Sequence, residues 1–209
     1  MFTGIVEEVG KVAEISPRRL TVSAEKISRR VALGDSVDVN GICLTVTGFD
    51  RRSFFVDIME ETFNRTALRY LQAGSPVNLE TAATLQKPLG GHLVQGHIDD
   101  TGEIEHIDQH DDTVVISIAA PPHVMRYVVE KGFIAVDGIS LTVASRSPEG
   151  FTVSIVKFTW ANTRLSALAD GDRVNLEADI IAKYVEQFTC REKETLTMDY
   201  LKEHGFLNG

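Results

Sequence analysis

Two reactive side chains occupy one matched position in a repeated frame. Cys43 stands in Asn40-Gly41-Ile42-Cys43-Leu44-Thr45-Val46, and Ser140 in Asp137-Gly138-Ile139-Ser140-Leu141-Thr142-Val143, 97 residues further on. Exchanging a thiol for a hydroxyl alters nucleophilicity far more than size, although a cysteine by itself reads as a small buried hydrophobe. Asn40 against Asp137 is a second polar exchange in the same frame. Thr45 and Thr142, each between Leu and Val, are either ordinary strand threonines or the lining of a concavity. His92 and His97 flank a glycine-rich stretch, as satisfied loop histidines or as acid–base groups titrating near neutral pH. Asp179 precedes an apolar helical stripe, the place of an N-cap, and a cap can also face a site.

The frame that positions them is a duplication. Phe54, Val56 and Ile58 return as Phe151, Val153 and Ile155; Thr62, Thr66 and Leu68 return as Thr159, Thr163 and Leu165. Gly74 and Val77-Asn78-Leu79-Glu80 return as Gly171 and Val174-Asn175-Leu176-Glu177. A register this strict describes two copies of one domain, since solenoid repeats recur at roughly 20–50 residues. Gly41 and Gly138 read as turn glycines with positive φ.

Composition narrows the function classes. A chain of 209 residues with 43% apolar and 24% charged residues suits two domains with ordinary cores. A net charge of −9 argues against a nucleic-acid backbone as partner, and no apolar run reaches the roughly 18 residues of a membrane span. The start Met-Phe-Thr-Gly-Ile-Val does not read as a secretory signal. Cys43 and Cys190 are unmatched thiols without zinc-type spacing. The expectation is a reduced, cytoplasmic protein with no metal and no cofactor.

Alternating apolar patterns mark strands at Thr3–Val12, Leu20–Ala24, Ser36–Val39, Leu44–Val46, Phe54–Ile58 and Val77–Glu80, with a helix expected over Glu60–Leu71 and Thr62 as its possible cap. Five or six short strands with glycine turns predict a small closed β-barrel. The linker Leu89-Gly90-Gly91-His92-Leu93-Val94-Gln95-Gly96-His97-Ile98-Asp99 is too rich in glycine and histidine for an inert tether. A second copy is expected to begin at Thr101-Gly102, echoing Thr3-Gly4, with a strand over Thr113–Ile118 and a helical turn at Pro121-Pro122. Ile180, Ile181, Tyr184, Val185 and Phe188 form a helical apolar stripe with no counterpart in copy one, to be covered by its own barrel or by self-association. A further short helix is expected near Met198–Glu203.

The opening Met-Phe-Thr-Gly-Ile-Val, both heptapeptides, the Gly-Gly-His-Leu-Val-Gln-Gly-His-Ile-Asp linker, Lys131-Gly132-Phe133-Ile134 and the ending Asp-Ile-Ile-Ala-Lys-Tyr-Val-Glu resemble the riboflavin synthase alpha-chain family over essentially the whole chain. The resemblance implies two tandem six-stranded Greek-key β-barrels, at 1–97 and 98–178, and a trimerisation helix and tail at 179–209. It implies a transferase that dismutates two molecules of 6,7-dimethyl-8-ribityllumazine, by four-carbon transfer, to riboflavin and 5-amino-6-(D-ribitylamino)uracil. Two identical substrates held face to face are a positioning problem that duplicated barrels solve. A homotrimer is implied, with each site between the N-barrel of one subunit and the C-barrel of the next, and lumazine synthase is a conceivable partner.

Carried over, the resemblance assigns Gly4, Ile5, Val6, Cys43, Leu44, Thr45, Asp57, Ile58, Met59, Glu60, Glu61 and Thr62 to the N-barrel pocket. Gly96, His97 and Ile98 contact ligand from the linker. Lys131, Ser140, Leu141, Thr142, Ser154, Ile155, Val156, Lys157, Phe158 and Thr159 form the C-barrel pocket. Cys43, His97, Ser140, Thr142 and Asp179 carry the chemistry, Ser36, Asn40 and Asp137 support it, and Phe2 closes the N-barrel pocket. The family's usual Ile-Pro-x-Thr is here Ile155-Val156-Lys157-Phe158-Thr159, which puts the shape of the C-barrel pocket in question. Two alternatives are a non-catalytic lumazine- or flavin-holding module and an OB-like nucleic-acid binder, the latter disfavoured by acidic charge and 7% aromatic content.

Overall fold

The computed structural model describes residues 1–189, 202 and 205. Cys190 and the short helix expected near 198–203, Lys202 excepted, lie outside the described residues. Among the described residues, twelve strands form two closed antiparallel barrels. The first comprises β1 (Glu8–Ser16), β2 (Arg19–Ser23), β3 (Ser36–Val39), β4 (Ile42–Phe49), β5 (Ser53–Asp57) and β6 (Pro76–Thr81), in the order β1-β2-β5-β4-β3-β6. The second comprises β7 (Asp100–Gln109), β8 (Thr113–Ala119), β9 (Phe133–Val136), β10 (Ile139–Arg146), β11 (Gly150–Val156) and β12 (Arg173–Ala178), in the matching order. Pairing of β2 with β5 and return of the chain from β5 to β6, beside β3, make the first barrel a Greek key, and the second repeats it. Alternate residues fill the interiors: Val37, Leu44, Val46, Phe54 and Val56 in one, Ile134, Leu141, Val143, Phe151 and Val153 in the other.

Register places the copies differently at their two ends. Glu8 pairs with Leu79 and Asp100 with Leu176, so the first strands repeat at 92 residues while the later ones repeat at 97. The counterpart of Thr101-Gly102 is therefore Val9-Gly10, and that of Thr3-Gly4 is Gln95-Gly96, which corrects the expected echo. The helix expected over Glu60–Leu71 is also divided. After the short α1 (Glu25–Ser28), α2 (Glu60–Arg65) ends at extended Thr66, and a 3-10 turn follows over Ala67–Tyr70. Thr66 Oγ1 donates to the Thr62 carbonyl and accepts weakly from Leu68 N, so Thr66 is the capping threonine, and Thr62 lies within the helix.

The barrels are clasped by reciprocal asparagines. Asn78 Nδ2 donates to the Asp137 carbonyl at 2.9 Å, and its Oδ1 accepts from Arg164 N at 2.7 Å. Asn175 repeats this toward the first barrel, with Nδ2 to the Asn40 carbonyl at 2.8 Å and Oδ1 from Ala67 N at 2.7 Å. Asn40 and Asp137, at φ 50° and 46°, form left-handed hairpin turns with Gly41 and Gly138. The glycines meet across the pseudo-twofold, where a Cβ on Gly41 would lie 2.8 Å from Gly138 N. Asn40 and Asp137 are thus buried clasp residues, not ligand contacts: Asn40 Oδ1 accepts from Asn78 N, and Asp137 Oδ1 from Asn175 N. Their polar exchange has a local cause. Asp137, 0% exposed, lies 3.1 Å from the guanidinium of Arg164, whose matched residue in copy one is Ala67. Beside them, burial, together with Glu80, Glu177 and Asp137, pushes the Asp38 carboxyl well above the usual range.

Short helices α3 (Pro122–Met125) and α4 (Lys157–Ala161) lie in the connections of the second barrel, and after β12 the chain enters α5 (Ile180–Thr189). Its polar side is tied down: Lys183 Nζ contacts Asp99 at 2.5 Å, and Glu186 pairs with Arg126 and accepts from Tyr127 Oη. Ile181, Tyr184, Val185 and Phe188 face outward, Phe188 at 69% exposure. Their own barrel does not cover them.

Breaking the buried pair should be costly. Arg164→Ala is expected to destabilise by about 3–5 kcal/mol in chemical denaturation, because the buried Asp137 carboxyl is left without its ion partner. Adding Asp137→Asn reproduces the first-copy combination of Asn40 with Ala67 and should recover most of that loss.

Candidate active site

Strands β4 and β10 each turn one face inward and one outward. Leu44 and Leu141 point into the barrels, as do Ile58 and Ile155, so these four offer a ligand backbone rather than side chain. Thr45 and Thr142 are exposed on the outer wall, with Cys43 and Ser140 half-buried beside them. Register sets Thr45 opposite Ser36 and Thr142 opposite Phe133.

Each outer wall is completed by a segment that precedes a first strand. Glu80 accepts from Thr3 N, Thr3 Oγ1 and Gly4 N, and the Gly4 carbonyl then accepts from Ser140 N at 2.9 Å. Glu177 accepts from the backbone N of Gln95, Gly96 and His97, and the Gly96 carbonyl accepts from Cys43 N at 2.9 Å. Each segment is held by its own barrel's carboxylate and laid on the other barrel's wall. Both glycines, at φ 75° and 82°, are required by contact: a Cβ on either would lie 2.5 Å from the Cβ of Ser140 or Cys43. Gly4, Ile5 and Val6 therefore belong to the C-barrel wall, correcting their assignment to the N-barrel pocket, and Gly96, His97 and Ile98 belong to the N-barrel wall.

The N-barrel cleft, of about 300 Å³, is lined by Ile42, Cys43, Glu61, Thr62, Arg65, Thr66, Gly96, His97 and Ile98. Glu61 is paired with Arg65 at 3.3 Å. Met59 is exposed, whereas Asp57, paired with Arg19, lines a separate groove together with Ile58 and Glu60. Phe2 is 0% exposed and packs with Val94 and Ala135 behind Cys43, so it backs the cleft and does not close it. In the C-barrel, Ser154, Val156 and Phe158 are exposed, and Lys157 and Thr159 half-buried. At Val156–Phe158 the cap has the same geometry as its counterpart in copy one: Val156 caps α4 (Lys157–Ala161) at φ −76°, ψ 153°, and Met59 caps α2 at φ −75°, ψ 142°.

Two features separate the walls. Lys131 adopts the left-handed φ of 65° where copy one has Gly34 at 88°, a conformation that L side chains avoid unless something else needs them. His92 Nδ1 lies 2.7 Å from Ser140 Oγ, and its ring stacks on Phe133 at 5.3 Å and 7°. Burial lowers its pKa against the opposing pull of Asp179. Asp179 caps α5 through Ile181 N at 3.0 Å as well. No side-chain hydrogen bond reaches Cys43 Sγ among the described residues. Sequence reasoning weighed His92 and did not place it in the site; Glu80 and Glu177 carried a signal, the repeated Asn-Leu-Glu, without a visible role.

The lumazine-binding domain model matches residues 3–82 and 95–179, and the second match starts where the register places the counterpart of Thr3. A riboflavin synthase of Actinobacillus pleuropneumoniae is 46% identical over 215 positions, spanning 99% of this chain and 100% of that protein. One of Mycobacterium tuberculosis (strain ATCC 25618 / H37Rv) is 49% identical over 195 positions, spanning 90% and 97%. The chain belongs to the riboflavin synthase family. Among solved structures, LumP complexed with riboflavin is similar at a TM-score of 0.80 and 27% identity, covering 85% of this chain and 99% of that one. LumP complexed with 6,7-dimethyl-8-(1'-D-ribityl) lumazine gives a TM-score of 0.77 at the same identity and coverage.

If Lys131 is kept for its ammonium group, Lys131→Gly should separate stability from binding. Relief of the left-handed strain is expected to raise unfolding stability by up to about 1 kcal/mol, while calorimetric affinity for a flavin or lumazine falls.

Proposed function

We propose that this chain catalyses the dismutation of two 6,7-dimethyl-8-ribityllumazine molecules to riboflavin and 5-amino-6-(D-ribitylamino)uracil, without cofactor or metal. The observation that carries this reading is the pair of matched outer walls, alike in backbone and different in chemistry, on a family member similar to riboflavin synthases over its full length. Two like substrates fit two like walls, and the exchange of Cys43 for Ser140 lets one become donor and the other acceptor.

The reaction needs a base for the acidic C7-methyl of one lumazine and a nucleophile, or an activated water, at C7 of the other. Cys43 and His97 serve the N-barrel cleft, with Ser36, Thr45, Glu61, Thr62 and Ile98 as surrounding contacts. Ser140, Thr142 and Asp179 serve the C-barrel wall, with Ile5, Lys131, Phe158 and Thr159. Positioning two rings in one stacked geometry supplies much of the acceleration. The N-barrel cleft of one copy faces the C-barrel wall of a second in a homotrimer. The outward stripe of α5 supports this, because its polar side is already engaged and its apolar side is uncovered.

Purified protein given the lumazine alone should form one riboflavin per two substrates consumed, followed by absorbance. Tight binding with altered fluorescence and no riboflavin would favour the lumazine-holding alternative. Phe188→Glu together with Tyr184→Ser is expected to lower the sedimentation mass toward one chain and to abolish turnover, while far-ultraviolet dichroism is retained.

A further inference from the structure

The two crossed segments rejoin their own barrels in the same way. Glu7 N donates to the Leu79 carbonyl on β6, and Asp99 N to the Leu176 carbonyl on β12, each at 2.9 Å. Each carboxylate then takes a backbone N–H two residues further along that strand. Glu7 Oε1 accepts from Thr81 N at 3.1 Å, and Asp99 Oδ2 from Ala178 N at 2.8 Å. A lysine from beyond the strand closes each arrangement. Lys87 Nζ lies 2.7 Å from Glu7 Oε1 and 2.6 Å from Glu80 Oε1; Lys183 Nζ lies 2.5 and 2.7 Å from the two oxygens of Asp99. The lysines are 96 residues apart, one short of the register, so an alignment of the copies does not pair them. Their side chains are 21% and 24% exposed, and that of Glu80 only 3%, so these are shielded charge-assisted contacts and not surface pairs. Burial works against the charge on Lys87, and Glu7 and Glu80 outweigh it, holding the ammonium above the ordinary lysine value.

We propose that Lys87 and Lys183 are matched positioning residues for the lumazine reaction, each fastening the root of a crossed segment and thereby fixing the substrate wall of the other barrel. This rests on the lumazine reading above and adds two residues outside those placed in its chemistry. Lys87 acts through Glu80, whose Oε1 also takes Thr3 N and whose Oε2 takes Gly4 N, and the Gly4 carbonyl meets Ser140 N on the C-barrel wall. Lys183 acts through Asp99, two residues after His97. The His97 ring is exposed, and among the described residues no side chain bonds it, so the backbone that carries it sets its place. The locks differ in what carries them. Lys87 belongs to the linker between the barrels, whereas Lys183 belongs to α5, whose apolar stripe faces outward. A second copy that covers this stripe therefore also steadies Asp99 and the His97 segment, so that assembly arranges the N-barrel cleft from within each copy.

The test is amide hydrogen exchange, resolved to single residues, on the full-length protein without ligand. Cys43 N and Ser140 N report the two walls, because each donates to the glycine carbonyl of a crossed segment. Lys183→Met is expected to speed exchange at Cys43 N about tenfold and to leave Ser140 N within about twofold. Lys87→Met is expected to do the reverse. A general loss of stability moves both amides together, so paired changes in either variant would overturn the proposal, as would unchanged exchange or an effect confined to the lysine's own barrel. Asp99→Asn keeps an acceptor for Ala178 N and removes the charge that Lys183 meets. It should repeat the Lys183→Met pattern, and Lys183→Arg should retain most of the protection; the opposite result in either counts against the role. In turnover, Lys183→Met should lower kcat about tenfold with KM changed less than about threefold. Its sedimentation mass should stay that of the parent, since Glu186 still ties α5 to Arg126 and Tyr127; a fall in mass would make Lys183 an assembly contact and refute the proposal. Exchange is read with no substrate present. Failure to form riboflavin therefore strikes the lumazine reading alone, and uncrossed exchange strikes the lysines alone.

Discussion

The reciprocal clasp of Asn78 and Asn175 is the constraint on which the rest of this molecule depends. Each amide spends both its donor and its acceptor on the opposite barrel, and both residues are buried. A buried amide with one partner missing costs about 1–3 kcal/mol, so the barrels are held in one relative orientation and not merely in contact. Left-handed turns at Asn40-Gly41 and Asp137-Gly138 let the two backbones approach at the pseudo-twofold, where a side chain would clash.

Given that orientation, the crossed segments follow. Glu80 and Glu177 each gather successive backbone N–H groups into one carboxylate, which bends the incoming chain and aims a glycine carbonyl at the other barrel. Burial raises the pKa of Glu177, and the three backbone donors oppose that rise. Each cleft wall is consequently made from both halves of the duplication. Separating the halves would leave Cys43 N and Ser140 N without their carbonyl partners. The duplication thus builds sites and does not merely double them.

Symmetry of backbone with asymmetry of side chain is what a reaction between two identical molecules requires. One wall carries Cys43, His97 and the Glu61–Arg65 pair; the other carries Ser140, His92, Lys131 and Phe158. Lys131 in a glycine's conformation is a local sacrifice on that wall, and such departures gather where function outweighs stability. The uncovered α5 stripe adds a means of bringing one wall of a copy to the other wall of its neighbour.

Much of this was legible in the residues. The 97-residue register, the alternating strands and the glycine turns led to two barrels, because strand periodicity and hairpin chemistry are local properties of the chain. The outward Thr45 and Thr142, the cap at Asp179 and the unpartnered helix stripe were legible for the same reason. What the linear pattern could not decide was which segment lies on which wall. Gly4 and Gly96 reach across the pseudo-twofold, and the change of register from 97 to 92 at the first strands hid their equivalence. Nor could it distinguish Asn40 and Asp137 as clasp residues from site residues, or reveal His92 beside Ser140, 48 residues away. Local propensity and periodicity write the elements into the sequence. The partners of buried polar groups are chosen only when two closed barrels meet, because desolvation is settled by the whole packing and not by the neighbours in the chain.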